Sequence, residues 1–215
     1  MKIKVNYVCK TGFLFLTAAA ALTVLFAGCT KYAPDGLGKV SFATSRTWVI
    51  NGAGINQTWS DVVVASGAND KTTFDGGDHN GPYKADWRNN PGYKGSLFTW
   101  EAVNRYQDYL CPGDWRVPVQ EDFYYLDMAL GGTGMGGQDD ATISDKYINI
   151  WGGNYVGRCV ENGTLEGQGF NAFYWSLTPT LVGASIKYRV LIFSLGQVSM
   201  GASYQYHGIS LRCVK

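Results

Sequence analysis

The apolar positions of this chain change spacing several times, and each change marks an element. Val40 to Ile50 and Thr58 to Ala65 are rich in Val, Thr, Phe and Trp and predict two strands. Between Ser66 and Gly95, Gly, Asn, Asp and Pro recur too often for regular structure, so this stretch reads as a long loop. The period then becomes helical. Leu97, Trp100, Val103, Tyr106 or Gln107, and Leu110 recur every three to four residues until Pro112-Gly113 stops the run. A second helix follows Pro118: Glu121 and Asp122 sit at its positive N-terminal end, Phe123, Leu126, Asp127 and Leu130 fall at i, i+3, i+4 and i+7, and Gly131-Gly132 ends it. Its buried stripe is Phe123, Leu126 and Leu130. Strand patterning returns after Trp151, in Phe173–Leu177, Lys187–Leu195, Gln197–Met200 and Gly208–Val214, with Gly196 supplying a tight hairpin turn. Strands, then two helices, then strands is an α+β order rather than an alternating βαβ one.

Composition narrows the class. Of 215 residues 46% are hydrophobic and 16% charged, enough apolar side chain for a real core and too little charge for a disordered tail. Lys and Arg exceed Asp and Glu by one, so no summed basic field exists to hold a phosphate backbone, and nucleic acid is not an expected partner. The 28 Gly, 14 Tyr and 7 Trp fit short strands and turns presenting aromatic side chains, the profile of a binding module.

The N-terminus reads as an address. Lys2, Lys4 and Lys10 precede an uncharged run from Gly12 to Gly28, the n-region and h-region of a secretory leader. The run ends in Phe26-Ala27-Gly28-Cys29, which resembles the bacterial lipobox, with Phe26 where Leu is usual. That implies a signal peptide over 1–28, acylation of Cys29, a tether over 29–39 (with the polar, turn-rich Thr30 to Lys39) and a folded domain over 40–215. The expected location is the cell envelope, held by lipid at the outer membrane and facing the surface. Of five Cys, Cys9 leaves with the signal and Cys29 is lipidated; Cys111, Cys159 and Cys213 remain in an oxidising compartment, enough for one disulfide and one spare thiol. With only His79 and His207 and no CxxC pair, a structural zinc site has almost no ligands to draw on.

Motifs that spell a chemistry lack its context. Gly132-Thr133-Gly134-Met135-Gly136-Gly137 matches a dinucleotide loop, but a helix precedes it where the phosphate cradle needs a strand. Asp75, Asp78 and Asn80 before Gly81 faintly resemble a calcium loop out of register and without the closing Glu, and Asp139, Asp140 and Asp145 form a second acidic patch of the same kind; calcium is unsupported and no cofactor is expected. No serine carries a nucleophile-elbow signature, so no catalytic residue is assigned. Trp100, Trp115, Trp151 and Trp175 sit among apolar or glycine residues and read as core. Tyr204 and Tyr206 stand in the polar stretch Ser203-Tyr204-Gln205-Tyr206-His207, where loop tyrosines offer contact area at small entropic cost.

Four blocks then line up in order: Gln57-Thr58-Trp59-Ser60-Asp61; Gly95-Ser96-Leu97-Phe98-Thr99-Trp100-Glu101-Ala102; Cys111-Pro112-Gly113-Asp114-Trp115-Arg116-Val117-Pro118; and Gly208-Ile209-Ser210-Leu211-Arg212-Cys213-Val214. Together they resemble the Fibrobacter succinogenes major paralogous domain, over roughly residues 40–215. The resemblance implies a secreted or lipid-anchored bacterial surface protein of C-type lectin-like and formylglycine-generating-enzyme-like fold, with two helices flanking twisted antiparallel strands. It implies pairing of Cys111 with Cys213. Family members carry further cysteines where this chain has Ala68, Trp87 and Glu101, which leaves Cys159 without a partner. Val119 replaces the usual Ser or Thr after Val-Pro, so Asp122 or water is expected to take up the free N–H groups of the second helix. The reactive cysteine pair of the enzymes and the Glu-Pro-Asn and Trp-Asn-Asp calcium motifs of sugar-binding lectins are both missing.

The expected function is therefore non-catalytic binding of a glycan or surface-protein ligand, in adhesion, by a face between Val182 and His207: Ser185, Tyr188, Ser199, Ser203, Tyr204, Tyr206 and His207. Lectin-like domains with a variable C-terminal region are targets of diversity-generating retroelements, and the small and polar residues of this stretch fit such a region. The competing expectations are a sulfatase-modifying or oxidase-like enzyme on the same fold using Cys159, and a pilus or envelope subunit.

Overall fold

A computed structural model describes residues 42–43, 47–64, 74, 86–93, 95–134 and 141–215. The leader 1–28, the tether 29–39 with Cys29, and the acidic turn at Asp75, Asp78 and Asn80 lie outside the described residues. In chain order the elements are β1 (Phe42–Ala43), β2 (Thr47–Gly52), β3 (Ile55–Asp61), β4 (Val63–Val64), β5 (Trp87–Arg88), β6 (Leu97–Phe98), α1 (Trp100–Leu110), α2 (Gln120–Leu130), α3 (Ala141–Asn149), β7 (Arg158–Cys159), β8 (Leu165–Glu166), β9 (Asn171–Val182), β10 (Ser185–Ser194), β11 (Gln197–Ser203), β12 (Ile209–Ser210) and β13 (Arg212–Val214). The fold class is α+β with mostly antiparallel sheets.

Six strands form the central sheet in the order β11-β10-β9-β12-β6-β5, antiparallel except where β12 meets β9 at Ser210 and Tyr174. A three-stranded sheet, β13-β3-β2, joins the β2–β3 hairpin to the last strand. The long strands β9 and β10 show no hydrophobic-in, polar-out alternation because both faces of the central sheet are covered. On one side Phe173, Trp175, Leu177, Tyr188, Val190 and Ile192 pack with Trp100, Ala102, Val103, Tyr106 and Leu110 of α1. On the other, Ala172, Tyr174, Leu191, Phe193 and Val198 pack with Phe123, Leu126 and Leu130 of α2 and Ile143 and Tyr147 of α3. The β10–β11 turn is made at Leu195-Gly196, where Gly196 takes a left-handed φ of 109° that a side chain would strain.

Several boundaries differ from the sequence expectation. Leu97 belongs to β6, not to the first helix: its backbone pairs with β5 and β12, and the Thr99 hydroxyl accepts the Ala102 N–H at 3.2 Å, so the helix starts at Trp100. Tyr106, not Gln107, takes the buried helical position. A third helix, α3, stands where only an acidic patch was read; its apolar stripe, Ile143 and Tyr147, spans too few turns to show as a period. The loop 66–95 contains β5. The terminal strand is two strands, because the chain crosses at Leu211 from the central sheet to the three-stranded one.

Two covalent and ionic ties close this architecture. Cys111 after α1 is bonded to Cys213 in β13 with their Cα atoms 5.5 Å apart, the pairing the family resemblance implied. Asp122 takes over the capping role that Val119 cannot play: its Oδ2 accepts the Val119 N–H at 2.8 Å while both carboxylate oxygens accept from the Arg116 guanidinium at 2.6 Å. The Gln120 N–H is taken by the Thr178 hydroxyl of β9 at 2.9 Å.

Candidate functional site

Register places the residues of the expected face on three neighbouring segments. Tyr188 on β10 stands opposite Ser203 on β11, and Ile192 opposite Ser199, so Tyr188, Val190, Ile192, Ser199 and Ser203 share one side of the sheet. Ser185 lies at the far end of β10 opposite Val182 and is exposed. Tyr204, Tyr206 and His207 form the loop that follows β11, tied to the start of α1 by the Trp100 N–H donating to the Gln205 carbonyl at 2.9 Å.

The loop is a small aromatic stack, exposed to water in part at Tyr204. Tyr204 and Tyr206 lie parallel with ring centroids 5.1 Å apart, and the His207 ring stands edge-on to both, at 5.7 and 5.1 Å. Tyr206, His207 and Ser203 are buried, whereas Tyr204 is 36% exposed. Lys187 reaches across from β10 and puts its Nζ 4.0 Å from the centre of the Tyr204 ring. Tyr188 stacks on Trp100 with centroids 3.5 Å apart. Of the seven residues, Tyr204 and Ser185 are exposed and Tyr188 and Ser199 half-buried; Ser203, Tyr206 and His207 support the loop from inside.

His207 is held at both nitrogens. Its Nε2 lies 3.4 Å from Glu161 Oε2 and its Nδ1 2.8 Å from Ser203 Oγ. An ionised carboxylate only accepts, so in the neutral ring the proton sits on Nε2 and the Ser203 hydroxyl donates to Nδ1. Burial lowers the pKa of His207 below its ordinary value, helped by Arg158 and opposed by Glu161. The order of contacts is that of a serine–histidine–carboxylate relay, yet the Ser203 hydroxyl is buried against the imidazole, where it fastens the loop to β11. Burial also raises the phenol of Tyr188, with Glu101 adding to the effect.

No family model, curated protein or solved structure matches this chain. The site is therefore read from its own chemistry.

Cys159, the free thiol, is buried against Phe74, Leu97 and Leu165; it contacts the Val160 carbonyl at 3.4 Å and accepts from Arg88 Nη1 at the same distance. Burial pushes the Cys159 thiol up and so favours its protonated form, opposed by the Arg88 guanidinium, which pulls the other way. Among the described residues no group of three or more His, Cys, Asp and Glu is placed to hold a metal ion, and no helix is long and apolar enough to cross a membrane. Sequence reasoning passed over Lys187, Glu161 and the Trp100 contact. Lys187 was inside the expected face but carried no signal of its own, and Glu161 lies in a separate hairpin, β7–β8, that only folding brings to His207.

Proposed function

We propose that this chain is a non-catalytic, lipid-anchored surface protein of the bacterial envelope, its C-type lectin-like domain resembling the Fibrobacter succinogenes major paralogous domain and binding a ligand through the Tyr204 face. The observation that carries this reading is the Tyr204 stack: a partly exposed aromatic ring with Tyr206 stacked on it, His207 edge-on and the Lys187 ammonium over its face, its outer edge left to meet a ligand. Rings held in this way lose little conformational entropy when a ligand covers them. The α+β order and the Cys111–Cys213 bond are compatible with the lectin-like fold. A C-terminal face diversified by a retroelement fits the same residues; a genome with no reverse transcriptase and template repeat beside the coding sequence removes that part of the reading.

The test is an array of glycans and host surface proteins probed with the full-length protein. Binding above background to at least one component is expected, and Tyr204→Ala, whose side chain lies outside both cores, should weaken that binding by roughly tenfold, about 1.4 kcal/mol, without changing the melting temperature. An empty array, or binding indifferent to Tyr204→Ala, overturns the proposal.

A further inference from the structure

The hairpin of β9 and β10 runs on past the sheet. β11 pairs with β10 only from Tyr188 onward, and β12 meets β9 only at Tyr174, so from Pro179 to Lys187 the two strands form a ribbon whose outer edges pair with no strand among the described residues. A register shift places residues 176–178 opposite the single Arg189, which is where a bulge re-aims the ribbon. Leu181 and Ile186 face each other across it, 74% and 62% exposed, on the same side as Tyr188; Lys187 and Arg189 alternate onto the other side.

Charge sharpens the picture. All 17 acidic residues lie at or before Glu166, so the ribbon and everything C-terminal to it contain no carboxylate side chain. Lys187 is stacked on Tyr204, and the Arg189 side chain makes no ion pair or hydrogen bond among the described residues.

We infer that the β9–β10 ribbon docks an acidic, extended segment of another protein. This rests on the Tyr204 face being a ligand site and names the class of its ligand. A neutral glycan finds few partners on the aliphatic tip, since Leu181, Val182 and Ile186 offer no side-chain hydrogen bond and the ribbon itself carries no carboxylate to accept from sugar hydroxyls. A bilayer is disfavoured by the open strand edges, whose N–H and C=O groups would go unsatisfied in hydrocarbon. An extended peptide answers all three features: its backbone adds along a free edge, its apolar side chains cover Leu181 and Ile186, and its carboxylates meet Lys187 and Arg189.

The full-length protein, held in detergent, is used to select from a phage-displayed random peptide library. Enriched sequences should combine Asp or Glu with alternating apolar residues, and a synthetic copy should bind less tightly as salt rises. Its affinity should fall by about tenfold or more in the Lys187→Glu/Arg189→Glu double variant and separately in Ile186→Ser, with circular dichroism unchanged. Enriched peptides without an acidic bias, or equal affinity for the double variant, overturn the inference. If no peptide is enriched while array glycans bind in a Tyr204-dependent way, the ligand face stands and the acidic-peptide inference falls. Binding to phosphatidylglycerol vesicles that is lost in the double variant, without any peptide enrichment, also defeats it. Failure of every probe, the array included, defeats both.

Discussion

Arg212 is held from every direction. Its guanidinium is wholly buried, with Nε donating to Asp61 Oδ1 at 2.7 Å, Nη1 to the Trp151 carbonyl at 2.5 Å and Nη2 to the Gly152 carbonyl at 2.7 Å. Above and below it lie the rings of Trp48 and Trp151, with the guanidinium carbon 4.0 and 4.1 Å from their centroids. Such a site needs a planar fork, which lysine lacks. Gly152 is part of the same device: at φ 68° it brings its backbone so close that an added Cβ would sit 2.1 Å from the Trp48 ring. Arg212→Met should remove about 3–5 kcal/mol of stability, because Asp61 is left as an uncompensated buried charge, and Arg212→Lys should not restore it. Urea denaturation reads this directly; a loss below about 1 kcal/mol would mean that Asp61 is relieved in some other way.

At the scale of elements, the loop after β11 is tied to the β7–β8 hairpin by a backbone bridge and by the His207 ring. Gly208 exchanges both backbone hydrogen bonds with Cys159 at 2.8 Å, which sets His207 against Glu161, and the groups around the imidazole are Arg158, Glu161 and Glu166 from the hairpin and Ser203 from β11. The folded-state pKa of His207 is lowered, so the unfolded chain binds its proton more readily. The stability from the neutral ring is complete above the unfolded pKa, about 6.5, and is lost as pH falls from there through the depressed folded value. Thermal melts over that window should show stability declining with acidification, with a shallower decline in His207→Gln. Identical slopes for the two proteins would show that the imidazole is not the group responsible.

Across the whole molecule, β13 completes the sheet begun by β2 and β3, and the Cys111–Cys213 bond ties the end of α1 to it over a sequence separation of 102. In the chain-entropy description a loop of that length restricts the unfolded ensemble by about 4–5 kcal/mol. Paired Ser substitutions at Cys111 and Cys213 should therefore lower the melting temperature by on the order of 10–15 °C. Scanning calorimetry with and without reductant provides the same comparison in the unaltered protein. A shift of only a degree or two would mean that the β3–β13 pairing and its buried Arg212 hold the last strand in place without the bond.

What the residue pattern alone determined is the local part of this account. The α+β order, α1 and α2, the turn at Gly196 and the core tryptophans Trp100, Trp151 and Trp175 follow from period, capping and turn chemistry, which act over a few residues. The disulfide pairing came from resemblance to a family and not from spacing. Tertiary structure alone decided that α3 and β5 form, that the last strand divides between two sheets at Leu211, and that Arg212 is buried with Asp61, 151 residues earlier in the chain. It also sorted the expected ligand face, leaving Tyr204 in water while Tyr206, His207 and Ser203 turned inward. The physical reason is that period tells which residues share a side, whereas burial depends on which distant segment covers that side: here β7–β8 brings Glu161 to the loop, and among the described residues no segment covers Leu181 and Ile186 at the ribbon's end.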